Sequence, residues 1–164
     1  GCFVAMGTKS YFYRDGRMVK QGIVYNNDSK VITARDEEEA YEKISEELGV
    51  KILKLGYMPD GMYFENLVLE KGYGKLQYRY QDERIFFIQA KSNVAASSVR
   101  SSDVKKSHEI WNAGLHMNIE IDKEELTGNA TTYMAQFTYN GVYYYMIGVM
   151  DKNNFDEVVK KIQF

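Results

Sequence analysis

The chain has 164 residues, 21 Lys and Arg against 23 Asp and Glu, and a net charge of −2. That balance excludes a partner bound through phosphate neutralisation, such as nucleic acid, because such binding needs clustered Lys and Arg and here they are scattered among acids. The single cysteine, Cys2, excludes an internal disulfide, and a chain this long buries about 70% of its unfolded surface without one.

The start is apolar from Cys2 to Met6 and turns polar at Thr8. A membrane span needs about 20 apolar residues, so this stretch cannot be one by itself. Residues 1–10 read as a terminal arm, with Cys2 to Met6 as the outer end of a removed membrane helix. The alternative is the frayed end of a cytoplasmic protein. Tyr11 to Tyr25 alternates around Arg14-Asp15-Gly16-Arg17, where Asp-Gly suggests a hairpin turn, and Asn26 to Lys30 is a polar turn.

Asp36 to Leu48 reads as a helix: Glu37, Glu38 and Glu39 occupy its first turn, Tyr41, Ile44 and Leu48 form an apolar stripe, and Gly49 stands just past its end. The acidic run is a solvated helix start. Adjacent helix residues point different ways, so it does not converge on a metal. Val50 to Leu55 reads as a strand, and Gly56 to Gly61, with the only proline, as a turn. Three strands follow, Met62 to Leu69, Lys75 to Tyr80 and Arg84 to Ala90, expected side by side and antiparallel.

Ser92 to Ser107 is too small and polar to fill a core and reads as a surface excursion. Val104, His108 and Trp111, with Ser102 as cap and Gly114 after, suggest a short helix. Met117 to Ile121 reads as a strand and Asp122 to Asn129 as an acidic turn. Next comes the strongest signal in the chain. Asn140-Gly141 between two alternating segments predicts a type I′ turn and fixes the register. Phe137 then faces Tyr144 and Ala135 faces Met146, while Gln136 faces Tyr145 and Thr138 faces Tyr143 on the other side. The first set is the expected core face. Phe155, Val158, Val159 and Ile162 form the stripe of a closing helix, capped by Asp151 or Asn153, with Asp156 and Glu157 in its first turn. Phe137, Tyr144, Met146, Phe155 and Val158 are expected to share one core.

The whole chain, 1–164, therefore reads as one α+β domain: an antiparallel sheet of five or more strands with two helices packed on one face.

No stretch of the sequence brings together groups that would do chemistry. Cys2 lies in a terminal arm and neither His108 nor His116 follows a nucleophile motif. Two His and one remote Cys cannot hold zinc. Asp151-Lys152-Asn153 begins like a calcium loop but Asp156 replaces its glycine and Ile162 its final glutamate. Gly72-Tyr73-Gly74 lacks the third glycine of a phosphate cradle. Asp122, Glu124 and Glu125 have nothing to place them across a cleft, so no catalytic residue, metal or cofactor is expected and the chain reads as non-enzymatic.

The compositional oddity is 14 tyrosines, with Tyr143-Tyr144-Tyr145 on one strand and Tyr11, Tyr13, Tyr78 and Tyr80 alternating on others. A tyrosine ring with a polar tip suits stacking on sugars or a partner interface. Tyr143 and Tyr145, on the face opposite the core with Thr138 and Gln136, are the candidate binding residues.

The order of several motifs carries a family resemblance. These are Glu39-Ala40 to Gly49-Val50, the turn Tyr57-Met58-Pro59-Asp60-Gly61, Tyr78-Arg79-Tyr80 to Phe86-Phe87-Ile88-Gln89, and Phe137 to Tyr144 through Gly148 with the closing helix. From about Asp36 to Ile162 the chain resembles an uncharacterised extracytoplasmic domain of Gram-positive bacteria, domain of unknown function 4367. That domain often follows one membrane span and sometimes occurs in anti-sigma-factor-like proteins. Phe137 departs from the more usual Trp. The resemblance implies a fold and an address outside the membrane, anchored through a segment absent from this chain, but no catalytic residues. The expected function is a sensory or protein-interaction domain, and the alternative is a tyrosine-rich binder of cell-wall glycan or peptide. The upstream sequence separates the two: a membrane span favours signalling, a lipoprotein signal ending at Cys2 favours the wall.

Overall fold

The computed structural model describes residues 30–32, 36–91 and 104–164, with side chains described from residue 36 onward. The terminal arm, the hairpin around Asp15-Gly16 and the Ser-rich stretch through residue 103 lie outside the described residues.

Chain order is β1 (Lys30–Ile32), α1 (Glu37–Leu48), β2 (Lys54–Leu55), β3 (Met62–Glu70), β4 (Tyr73–Tyr80), β5 (Glu83–Ala90), β6 (Lys105–Asn112), β7 (Met117–Glu125), β8 (Thr131–Tyr139), β9 (Val142–Val149), α2 (Lys152–Lys160) and β10 (Ile162–Gln163). Among the described residues, eight strands form one antiparallel sheet in the order β1-β3-β4-β5-β9-β8-β7-β6, and β10 pairs with β2 apart from it. The fold is α+β and mostly β. The meander β3-β4-β5 forms as expected, and β9 then joins it along β5, with Ile85 facing Gly148 and Ala90 facing Tyr143.

The C-terminal hairpin has the register that its Asn-Gly turn dictates, with Phe137 facing Tyr144, Ala135 facing Met146 and Thr138 facing Tyr143. Asn140 and Gly141 both have positive φ, 51° and 80°, as a type I′ turn requires. Phe137, Tyr144, Met146, Phe155 and Val158 all lie in one buried cluster. Inside it Phe137 stacks on Tyr144, ring centroids 5.2 Å apart, and Tyr144 stacks on Phe87 at 6.0 Å, so three neighbouring strands share one aromatic row.

Helix α1 begins where Asp36 accepts a hydrogen bond from the Glu39 amide at 2.9 Å and ends at Gly49 in the left-handed region. Its apolar stripe lies against β3 and β4. A side chain at position 74 would run into Ile44, so Gly74 sets how closely the helix approaches.

Several expectations are corrected. The strand expected from Val50 is only Lys54–Leu55, because two tyrosine hydroxyls take backbone donors there: Tyr144 accepts from the Leu53 amide at 3.0 Å and Tyr41 from the Leu55 amide at 2.9 Å. The short helix expected around His108 is strand β6, and Lys105 to Ser107 belong to that strand instead of a surface excursion. Pairing with the next strand, β7, overrides a helix-like spacing. The acidic turn expected from Asp122 is strand as far as Glu125, because Asp122 pairs with Met134 and Glu124 with Thr132. The closing helix ends at Lys160, and Ile162 stays buried but in β10, paired with Leu55.

Asp151 caps α2, accepting from the Asn154 amide at 3.1 Å, which leaves Asp156 and Glu157 beyond the first turn. Burial pushes this carboxyl up, but the Asn154 amide, the Asn154 side chain and the Tyr80 hydroxyl outweigh it and hold it below the usual carboxylate range. A depressed folded-state pKa gives stability that is complete above the unfolded value, about 3.9, and is lost as pH falls through the folded one. Asp151→Ala should therefore cost about 1 kcal/mol at neutral pH. Thermal melts of the two proteins should converge as pH drops below about 4. A gap that persists in acid would mean that the carboxylate is not the source.

Candidate functional site

Strand alternation puts Tyr143 and Tyr145 on the face opposite the aromatic row. The register shows what joins them there. One row across the sheet is Tyr73, Ala90, Tyr143 and Thr138; the next is Lys75, Ile88, Tyr145 and Gln136; a third is Gln77, Phe86, Ile147 and Met134. Cross-strand partners project to the same side, so these residues form one continuous patch. Tyr143 is half-buried, and Tyr145 is only 7% exposed. Tyr78 and Tyr80 are buried on the opposite side, so the alternating tyrosines of β4 do not contribute.

The patch is aromatic and basic. The Lys75 ammonium sits 5.0 Å from the centre of the Phe86 ring. Burial pulls this lysine down to about 8, against the opposing pull of Glu70. Burial also raises the Tyr73 phenol, helped by Glu70 and by Tyr145 nearby. At the far corner Glu65, in a bulge of β3, accepts a hydrogen bond from Gln77 and lies 3.9 Å from the Arg79 guanidinium and 3.8 Å from that of Arg84. The patch offers ring faces, hydroxyl-bearing side chains at the cross-strand pair Tyr143 and Thr138, and cationic groups. These are groups that bind by stacking and hydrogen bonding. Sequence reasoning missed Tyr73, Lys75 and Phe86, since only the pairing of β5 with the remote β9 brings them beside Tyr143.

A second cluster was also invisible in the sequence. Ser107 Oγ lies 2.6 Å from His108 Nδ1, His108 Nε2 lies 2.7 Å from Asp156 Oδ1, and Lys152 Nζ lies 3.0 Å from Asp156 Oδ2. The bulge in β6 between Lys106 and His108 brings Ser107 and its neighbour to one side. Both ring nitrogens are engaged, and the array fastens β6 to α2. Asn112, fully buried, adds two bonds to the end of the same helix region, donating to the carbonyls of Val159 and Ile162 at 3.0 Å each.

A family model described as "Domain of unknown function (DUF4367)" matches residues 52–162, more than half of the chain. The chain belongs to the DUF4367 family. The matched span runs from the approach to β2 to the start of β10 and includes the aromatic patch and the Ser107–His108–Asp156 array, whereas α1 precedes it. No curated protein and no solved structure matches this DUF4367 chain. Among its described residues no group of three or more His, Cys, Asp or Glu could hold a metal ion, and no helix is long and apolar enough to cross a membrane.

Proposed function

We propose that the chain is a non-enzymatic protein-interaction domain, displayed outside the membrane as part of an anchored sensory protein, that docks its partner on the sheet face bearing Tyr143. The observation that supports this most is the half-exposed Tyr143 ring set among Tyr73, Thr138 and the buried Tyr145. An aromatic ring with a polar tip, supported from below by a packed one, is the kind of residue that dominates binding surfaces. The address outside the membrane is carried over from the family resemblance. The reading also takes both helices to cover the other face. The register supports that, since Tyr78, Ile85, Gly148 and Tyr133 lie in one cross-strand row, with Tyr41 of α1 bonded to Tyr78 and Phe155 of α2 against Tyr133. The second reading, a binder of wall glycan or peptide, is favoured by two hydroxyl-bearing residues, Tyr143 and Thr138, standing as cross-strand partners.

Tyr143→Ala and Tyr145→Ala, made singly, test the reading. Tyr143→Ala should leave the melting midpoint almost unchanged. A photo-crosslinker at position 143, with Asn153 as control site, should trap a discrete protein from cells displaying the chain. Tyr145→Ala should cost about 2 kcal/mol or more as a buried truncation. Trapping of glycan or wall peptide alone moves the assignment to the second reading. A collapse of the midpoint in Tyr143→Ala removes the basis of both.

A further inference from the structure

The sheet ends at β6, and no described strand lies on its other side. Which of its backbone groups point outward follows from the hairpin. The two-residue turn makes Tyr139 and Val142 a hydrogen-bonded pair, so by alternation Thr132 and Met134 bond toward β7. Their partners Glu124 and Asp122 bond back to β8, which turns Ile121 and Ile119 toward β6. Those residues face His108 and Ile110. The amides and carbonyls of Glu109 and Trp111 are thus left aimed away from the sheet.

Edge strands are ordinarily guarded by lysines and bulges. In β6 both devices lie in the first half, at Lys105, Lys106 and the bulge next to them, and the half from His108 to Asn112 has neither. That unguarded half displays Trp111, 51% exposed and edge-on to His116 with ring centroids 6.3 Å apart. Beside it Glu109 and Glu120 face each other directly across the ladder, a like-charge pair that disfavours itself, with Lys106 reaching Glu120 at 2.8 Å.

We propose that β6 accepts an extended, basic and apolar segment of a partner protein as a ninth strand, paired through the backbone of Glu109 and Trp111. A Lys or Arg of the incoming strand then lies beside Glu109 and Glu120, and an apolar side chain packs on the Trp111 ring. Main-chain bonds supply affinity in this mode and side-chain complementarity supplies selection. This edge borders the same sheet face as Tyr143, three strands away from it, and the proposal does not depend on the Tyr143 reading.

Trp111 is the only tryptophan, so emission reports on this edge alone. Titrating the full chain with a short capped peptide alternating Lys and Val should shift the emission to the blue, saturably, and protect the Glu109 and Trp111 amides from hydrogen exchange. The matching Glu–Val peptide should do neither. Proline is tolerated on an edge where the lost N–H points outward, so Glu109→Pro should keep its fold and bind about tenfold more weakly for one lost backbone bond. Glu109→Lys keeps the backbone intact and should reverse the preference toward the Glu–Val peptide, which holds the test open if the proline variant does not fold. Tyr143→Ala should bind the Lys–Val peptide as the parent does, so failure here and failure of the Tyr143 face are told apart. Equal binding of both peptides, undiminished binding by a folded Glu109→Pro, or a concentration-dependent dimer that protects the same two amides would each overturn the proposal, the last in favour of a second copy.

Discussion

Phe137→Ala should lower the unfolding free energy by about 3–5 kcal/mol, the range for truncating a buried phenylalanine. Phe137 is 7% exposed and lies at one end of the row that Tyr144 and Phe87 continue into the middle of the sheet. Truncation removes its apolar area and also one stacking partner of Tyr144, whose hydroxyl accepts from the Leu53 amide. The damage should therefore reach the segment before β2. Urea melts give the size of the effect, and exchange at the Leu53 amide gives its reach. A loss below about 1 kcal/mol would mean that the ring is not packed as the register places it.

Gln89→Met should have the opposite sign. Gln89 is fully buried in β5, between Gly74 and Tyr144 in the register, and neither its side-chain oxygen nor its nitrogen has a hydrogen-bond partner. An unsatisfied buried amide costs about 1–3 kcal/mol, and an apolar side chain of similar shape removes that cost without opening a cavity. The variant should gain about that much, seen as a melting midpoint several degrees higher. An unchanged or lower midpoint would show that the amide is satisfied in solution, by water for instance.

The two variants lie on either side of β9, yet only one was foreseeable. Phe137 was legible because Asn140-Gly141 fixes a local register, and in a two-residue hairpin nothing remote can shift it. Gln89 read as one residue of an alternating strand, and the sequence held no sign of what would cover it. The same divide explains the site, whereas β6 was missed although its partner is the next strand. Val104, His108 and Trp111 have helical spacing, and only β7, bringing Ile119 and Ile121 alongside, makes that stretch a strand. Tyr143 and Tyr145 could be assigned to a face from alternation alone. Their neighbours Lys75 and Phe86 arrive through β5, and the burial of Tyr145 depends on that packing.

The order of the sheet also bears on how the chain assembles. Neighbours β3, β4 and β5 follow one another in sequence, as do β6, β7, β8 and β9, so each set closes only short loops. The two sets meet along β5 and β9, where even the nearest pair, Ala90 and Tyr143, closes a far longer one. Loop entropy rises with length and must be met before remote contacts can offset it, so the β5–β9 boundary is the costliest closure in this sheet, ahead of that of β1 on β3. Gly148 lies on that boundary, and a β-carbon there would collide with Ile85. A side chain at 148 would leave each set free to form and obstruct only their union, which makes this glycine a determinant of how fast the two halves become one sheet.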